Sequence, residues 1–359
     1  MTIDNITKIN EEYRNEWKHF LTYDIDIYSI VYNSLYKNNL VELLGLIIVP
    51  SSIDSLSLIQ YHHGTMIPIA SENGEGINDA PSLFKGQAPQ KYADFYETRL
   101  LCTIMASNGF IVSAPDYAGY NVTAHLNHPY TFHHELAESS VDMLRATESL
   151  IKELGVNYST KIFLAGWSEG GVASLATQKY LEELYNGEFN LIANAPFAGP
   201  YDYDTFGIDV FKKKDEKWSE LGIYSWAGHV WNEFGNINRP ADQIWNFEVN
   251  HPIEALNLPS SIPSQVFKSS FIDNIENGND REIISIMEEN DLIDGWTPKA
   301  KVFLHHGIND DIVPYFNTEN AYNSFLNNGS DVTLYRYGGN HCTPIFEYLT
   351  NLLKDFNQL

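Results

Sequence analysis

Apolar positions change their spacing several times along the chain, and the changes divide it into elements. The first fifteen or so residues are polar and lead into Trp17 and Phe20, a short helical lead-in. From Ile25 the period is two: Tyr28, Ile30 and Tyr32 alternate with their neighbours, and residues 40–49 run apolar up to Pro50, so two adjacent strands are expected. Residues 56–61 predict a third strand that runs directly into His62-His63-Gly64-Thr65, and a polar loop rich in Gly and Pro follows over 66–90. Residues 93–108 carry apolar positions at helical spacing (Phe95, Leu100, Leu101, Ile104, Met105) and stop at Gly109.

The same alternation continues. Residues 110–113 predict a short strand, 135–154 an amphipathic helix closed by Gly155, 161–165 a strand, 170–185 a helix and 190–195 a strand. Such a rhythm predicts βαβ units and a mostly parallel sheet. It breaks over 201–296, where Trp-rich and polar helical stretches replace strands. It resumes with a strand at 301–305, a helix at 316–327, a strand at 332–337 and a last helix at 343–356. The expected architecture is one α/β core made of 1–200 and 297–359, with an N-terminal extension over 1–24 and an inserted, mainly helical cap over 201–296. No internal repeat or low-complexity tract interrupts it.

Composition narrows the function. Hydrophobic residues make up 43% of the chain, enough for a sizeable core, which excludes a disordered protein. The 22 Lys and Arg stand against 47 Asp and Glu, a formal net charge of -25. That balance argues against nucleic acid and against anionic lipid as partners, since both are recognised by clustered cations. With no apolar run long enough to span a bilayer, stable membrane insertion is not expected. The first ten residues show no basic n-region or apolar h-region, so the expectation is a cytoplasmic protein, or a secreted or periplasmic one whose signal peptide has been removed. The two cysteines, Cys102 and Cys342, form no CxxC and are expected to be reduced.

The chemistry centres on Gly166-Trp167-Ser168-Glu169-Gly170-Gly171. This G-x-S-x-G follows a short apolar strand and opens a helix, the setting a nucleophile elbow requires. The flanking glycines let backbone approach closely, and the helix N-terminus favours developing negative charge beside Ser168. A serine hydroxyl needs a base to take its proton and a carboxylate to hold that base. Downstream of Ser168 lie His229, His251, His305, His306 and His341, of which only His341 follows a strand near the chain end, in a Gly-rich loop; His229 and His251 fall in the insertion. The acid is expected in the loop after the strand at 301–305, where Asp310 and Asp311 are adjacent.

An oxyanion hole needs two N–H donors. The backbone N–H of Glu169 is one; the other comes from the loop at 63–65, with Thr65 preferred and His63 and Gly64 as alternatives. His63, Trp167 and Tyr117 are the residues expected to contact substrate. A metal reading of His125, His128, His133 and His134 lacks H-E-x-x-H or equivalent spacing, so no metal is expected. Nucleotide binding has no motif to support it: the chain has no P-loop and no G-x-G-x-x-G after a strand.

With these residues in hand, the chain resembles the α/β-hydrolase superfamily and, within it, the bacterial and fungal secretory-lipase-like hydrolases. The resemblance runs from about Ile25 to the C-terminus. It rests on YHHGT at 61–65, APDYAGY at 114–120, HPYTF at 128–132, VDMLRA at 141–146, GWSEGG, APFAGPYD at 195–202, WTPKAKVFLHHGINDDIVP at 296–314, and GGNHC. It implies carboxylic-ester hydrolysis without a cofactor, a triad of Ser168, Asp310 and His341, and a helical cap after the sixth core strand. It also favours Asp310 over Asp311, because it places the acid three residues after the glycine of HG. The chain departs from the pattern in lacking a signal peptide and in carrying His305 where Gln is common before HG, a change expected to tune the pocket.

The stretch from Ser168 to Asp310 is far longer than a strand–helix–strand passage needs, and the surplus is the insertion. Its tryptophans, Trp218, Trp226, Trp231 and Trp245, with Trp296 at its end, are expected to form the cap's own small core, with some lining an apolar acyl or aryl pocket. The function expected is a serine esterase or lipase acting through an acyl-enzyme on neutral short- to medium-chain or aryl esters. A serine peptidase and a non-catalytic binding module are the alternatives. The partner is then a small-molecule ester; the oligomeric state is not specified by the sequence.

Overall fold

The strands follow the alternation of the sequence closely. A computed structural model describes residues 1–13, 15–67, 79–90 and 93–359. Of the loop expected at 66–90, residues 68–78 lie outside the described residues. Eight strands form one sheet in the order β1-β2-β4-β3-β5-β6-β7-β8. They are β1 (Ile25–Tyr36), β2 (Asn39–Pro50), β3 (Leu56–His62), β4 (Phe110–Pro115), β5 (Tyr158–Trp167), β6 (Asn190–Phe197), β7 (Lys301–Gly307) and β8 (Val332–Tyr337). β1 pairs β2 and β2 pairs β4 antiparallel, and every other pairing is parallel. The order and directions are those of an α/β hydrolase, the fold expected.

The hairpin between β1 and β2 turns at Lys37 and Asn38, both at positive φ (48° and 62°), the primed turn that matches strand twist. Its tip reaches across the molecule: Lys37 Nζ pairs with Glu233 at 2.6 Å and lies 4.2 Å from the Phe234 ring centroid.

Helices cover both faces. On one side lie α1 (Ile3–Ile9), α2 (Thr103–Ser107, entered through a π-helical turn at Thr98–Cys102) and α11 (Ile345–Phe356). On the other lie α3 (His133–Leu154), α4 (Glu169–Glu183) and α10 (Phe316–Asn327). Gly155 ends α3 at φ 67°, a left-handed cap that glycine adopts without steric cost. Each face has its own buried cluster, with Ile104, Phe163 and Leu352 in one and Leu58, Leu144 and Val172 in the other.

Between β6 and β7 the chain makes α5 (Tyr203–Lys212), α6 (Leu221–Phe234), α7 (Pro263–Val266), α8 (Ser269–Glu276) and α9 (Arg281–Asn290). The strand pairing described within this insertion is a single bridge, Trp245 to Phe267. A separate cap core was expected. Instead Trp218, Trp226, Trp231, Trp245 and Trp296 belong to the same buried cluster as the α3–α4 face of the sheet. Trp226 explains why: its ring stacks on Tyr130 of the core at 4.1 Å and 8°. No helix among the described residues is long and apolar enough to cross a membrane. Cys102 is buried, Cys342 is exposed, and neither is in a disulfide.

Burial sets two opposing groups of ionisable side chains. Desolvation pushes His62, His133 and His305 down to about 3, so they fold as neutral rings. Their contribution to stability is present above the ordinary histidine value of about 6.5 and is lost as pH falls from there to about 3. Desolvation also pushes Glu97 and Asp291 up to about 7 and Asp116 to about 6. Their contribution is present below about pH 4 and is lost as pH rises to 6–7. Between about pH 4.5 and 6.5 the two groups oppose each other. Below about pH 4 only the histidines still act, joined by Asp310 (described below). Thermal unfolding midpoints measured from pH 3 to 8 should therefore fall most steeply below about 4. A decline from pH 7 to 5 steeper than that below 4 would contradict this assignment.

Candidate active site

The carboxyl ends of the parallel strands lie along one edge of the sheet, and every candidate catalytic residue sits in a loop on that edge. β5 ends at Trp167 and α4 begins at Glu169, so Ser168 alone makes the turn, at φ 59° and ψ -119°. A serine is strained there, and the surroundings fix it. Its N–H donates to the Phe197 carbonyl at 2.8 Å, and its own carbonyl accepts from Gly171 N–H at 2.9 Å. A Cβ on Gly166 would lie 2.1 Å from the Gly170 carbonyl oxygen, which is why the position is glycine.

β7 and β8 deliver the other two. His341 Nδ1 lies 2.7 Å from Asp310 Oδ2, so Nδ1–H donates to the carboxylate and Nε2 is left as the basic nitrogen. Asp310 is saturated: Oδ2 also accepts from His306 Nε2–H at 3.0 Å, and Oδ1 accepts from the N–H groups of Ile312 and Val313, each at 2.9 Å. Burial alone would raise its carboxyl; the hydrogen bonds from His306 and His341 outweigh it and hold the group well below the usual carboxylate range. Asp311, its neighbour, is exposed, and of the two aspartates only Asp310 meets His341.

Ser168 and His341 share no hydrogen bond among the described residues. The His341 loop is nevertheless docked on the elbow, because Trp167 Nε1–H donates to the His341 carbonyl at 3.1 Å.

The loop after β3 discriminates among the oxyanion candidates. Gly64 N–H is already taken: it donates to both carboxylate oxygens of Glu97, each at 3.0 Å. Thr65 and Glu169 line the same cavity as Ser168, while His63 does not. Glu97, whose Oε2 also accepts from Tyr61 at 2.5 Å, went unnoticed in the sequence. Its one signal was a place three and four residues before Leu100 and Leu101, on an apolar helix face.

The cavity, about 100 Å³, is lined by Ser168, Glu169, Thr65 and Thr131 and, from the insertion, by Phe206, Phe211, Trp231, Trp245, Phe267 and Met287. The three residues expected to touch substrate do not line it. His63 is buried between the Tyr117 and Tyr120 rings. Tyr117 is buried beside it, and the Trp167 ring packs against Tyr96, Phe197 and the His341 ring. His305 is no pocket residue either; it is buried, stacked on Tyr335 at 4.7 Å and 6°. Its neighbour His306 is the one that reaches Asp310.

The four histidines of the metal reading do not converge among the described residues. His128 pairs with Glu169, His134 meets Tyr180, and His133 N–H donates to Asn290. Among the described residues, the ligand-type group close enough to share an ion is Asp202, Asp204 and Asp291. Its oxygens are occupied: Asp202 caps α5, and Asp291 accepts the N–H groups of Tyr203 and Ile293.

Residues 93–202 match the model of the secretory lipase family. A secreted triacylglycerol lipase, LIP5 of Malassezia furfur, is 24% identical over 299 residues, 80% of this chain and 73% of that protein. The rice cell wall degrading esterase LipA of Xanthomonas oryzae superposes with a TM-score of 0.80 at 22% identity, covering 100% of this chain and 95% of LipA. Candida antarctica lipase A superposes with a TM-score of 0.66 at 15% identity, over 96% of this chain and 79% of that structure. At these identities the structural likeness carries the fold.

Proposed function

We propose that this α/β-hydrolase, similar to the secretory lipases and to the esterase LipA, hydrolyses carboxylic esters through an acyl-enzyme on Ser168. The observation that carries the reading is Ser168 itself, held at positive φ between strand and helix with an apolar cavity opening beside it. Ser168 Oγ attacks the ester carbonyl carbon while His341 Nε2 takes its proton. Asp310 keeps the proton of His341 on Nδ1 and stabilises the imidazolium as it forms. The N–H groups of Glu169 and Thr65 receive the negative charge on the carbonyl oxygen, each worth about 2.7–4 kcal/mol in comparable sites. His341 then protonates the departing alcohol, and a water activated by the same histidine releases the acid.

The apolar walls supplied by the insertion suit an uncharged acyl or aryl group, and the formal charge of -25 disfavours anionic esters. The relatives named as secreted favour an extracellular protein over a cytoplasmic one.

Fluorophosphonate labelling with peptide mapping, followed by a panel of p-nitrophenyl esters from acetate to laurate, tests the reading. The expected result is one adduct, on Ser168, and turnover of the neutral esters. A protein that neither labels at Ser168 nor cleaves any ester of the panel would sink it.

A further inference from the structure

Beneath the elbow, two motifs of the sequence, APDYAGY and HPYTF, close around the side chain of Glu169. His128 and Glu169 are both fully buried, and His128 Nε2 lies 2.7 Å from Glu169 Oε1. His128 Nδ1 lies 2.8 Å from the Ala118 carbonyl oxygen. A carbonyl oxygen only accepts, so Nδ1 carries a hydrogen. The Nε2–Oε1 contact then needs one proton of its own, on the ring or on the carboxyl, and either way the pair is electrically neutral. Thr131 N–H also points at Oε1, at 3.4 Å. Oε1 thus meets the backbone as well as the ring, while Oε2 has no hydrogen-bond partner among the described residues.

The backbone N–H of Glu169 is a proposed oxyanion donor, so the residue that stabilises negative charge carries a carboxylate of its own. Left alone in this low-dielectric setting, that carboxylate would oppose the oxyanion. We infer that His128 is a positioning residue: it neutralises the Glu169 carboxylate and holds it away from the developing oxyanion. The ring is itself fixed. Tyr120 lies at 4.8 Å, Tyr117 stacks at 6.0 Å, and the His128 backbone packs so closely on Gly119 (φ 95°) that a Cβ there would lie 2.7 Å from His128 Cα. This inference rests on the esterase reading above.

The test is a mutant cycle on kcat and KM for p-nitrophenyl butyrate, with unfolding midpoints measured alongside. His128→Phe keeps a ring among the tyrosines but removes the donor. It should lower kcat about 10–100-fold with little change in KM, and it should lower the midpoint. Adding Glu169→Gln to His128→Phe removes the bare charge and should return at least tenfold of the lost kcat. Where His128→Phe gives no folded protein, His128→Gln replaces it in the same cycle. An unchanged kcat in the single variant, a double variant no faster than the single, or a double variant that also fails to fold overturns the inference. Wild-type turnover in the same assay reports on the esterase reading separately, and the midpoints follow the pairing whatever the reaction.

Discussion

Ser168→Ala should lower kcat/KM for p-nitrophenyl butyrate by about 10⁴–10⁶-fold while the unfolding midpoint stays within about 2 °C. The size follows from how a triad works. In the proposed mechanism His341 and Asp310 act only through the hydroxyl they activate, so removing it forfeits their contribution as well. The activity left is what the oxyanion donors and substrate binding supply. The stability half of the expectation comes from the geometry. Ser168 Oγ makes no hydrogen bond among the described residues, so its loss orphans nothing. Alanine carries the same Cβ and therefore the same strain at φ 59°. Steady-state kinetics and a thermal melt on one preparation check both halves. A variant within tenfold of wild type would remove Ser168 as the nucleophile.

Gly170→Ala should be among the most damaging single methyls at the described glycines. A Cβ there would lie 2.0 Å from the His62 carbonyl oxygen, 2.6 Å from its carbon and 2.7 Å from the His63 carbonyl oxygen. All three atoms are backbone at the end of β3, so no rotamer change relieves them. Either α4 lifts away from β3 or the loop carrying Thr65 moves. Overpacking of this kind typically costs about 1–3 kcal/mol where side chains can give, and more where only backbone can. The expected result is a midpoint lowered by more than about 5 °C, together with lost turnover. Gly228→Ala is the matched control. It also lies in a helix, α6, and its Cβ would meet nothing within 4 Å. It should gain up to about 1 kcal/mol from helix propensity alone. Equal melting of the two variants would refute the packing argument.

Much of this arrangement could be read from the chain. The rhythm of apolar runs gave every strand of the parallel sheet. α10 and β8 begin and end at the residues expected, because apolar period and turn residues agree there. Local rules failed where the backbone departs from them. The helix expected from residue 93 does not include Phe95, which sits at φ 51°, and a π turn follows at Thr98–Cys102. Apolar spacing counts Phe95 as helical and cannot sense either feature.

Ser168, Asp310 and His341, the residues of the proposed triad, could be singled out because each follows a strand that could be recognised. The residues expected to touch substrate were chosen by nearness to those motifs, and nearness in sequence does not say which way a side chain points. Trp167 is the last residue of a strand whose side chains alternate between faces, and its ring packs on Tyr96, Phe197 and His341 and not on the cavity wall. Glu97 was not singled out, and the contacts of His128 with Glu169 and of His306 with Asp310 were not foreseen, for a related reason. Each acts through a contact between distant segments, and a single polar residue in an apolar stretch leaves almost no trace of such a contact.

The shared core between sheet and insertion also bears on how this protein can change. Tyr130 and Trp226 belong to one packed interior, and the hairpin tip at Lys37 grips Glu233 from a third direction. An insertion joined in this way cannot be lifted off and exchanged for another as a cassette, since its removal would strip apolar cover from α3 and α4. A shared interior of this kind is expected to make the insertion and the α3–α4 face of the sheet unfold together, which a melt followed by two probes would check. Substitutions along the cavity wall therefore bear on the stability of the whole molecule, since Trp231, Trp245, Phe267 and Met287 line the cavity and belong to that shared interior.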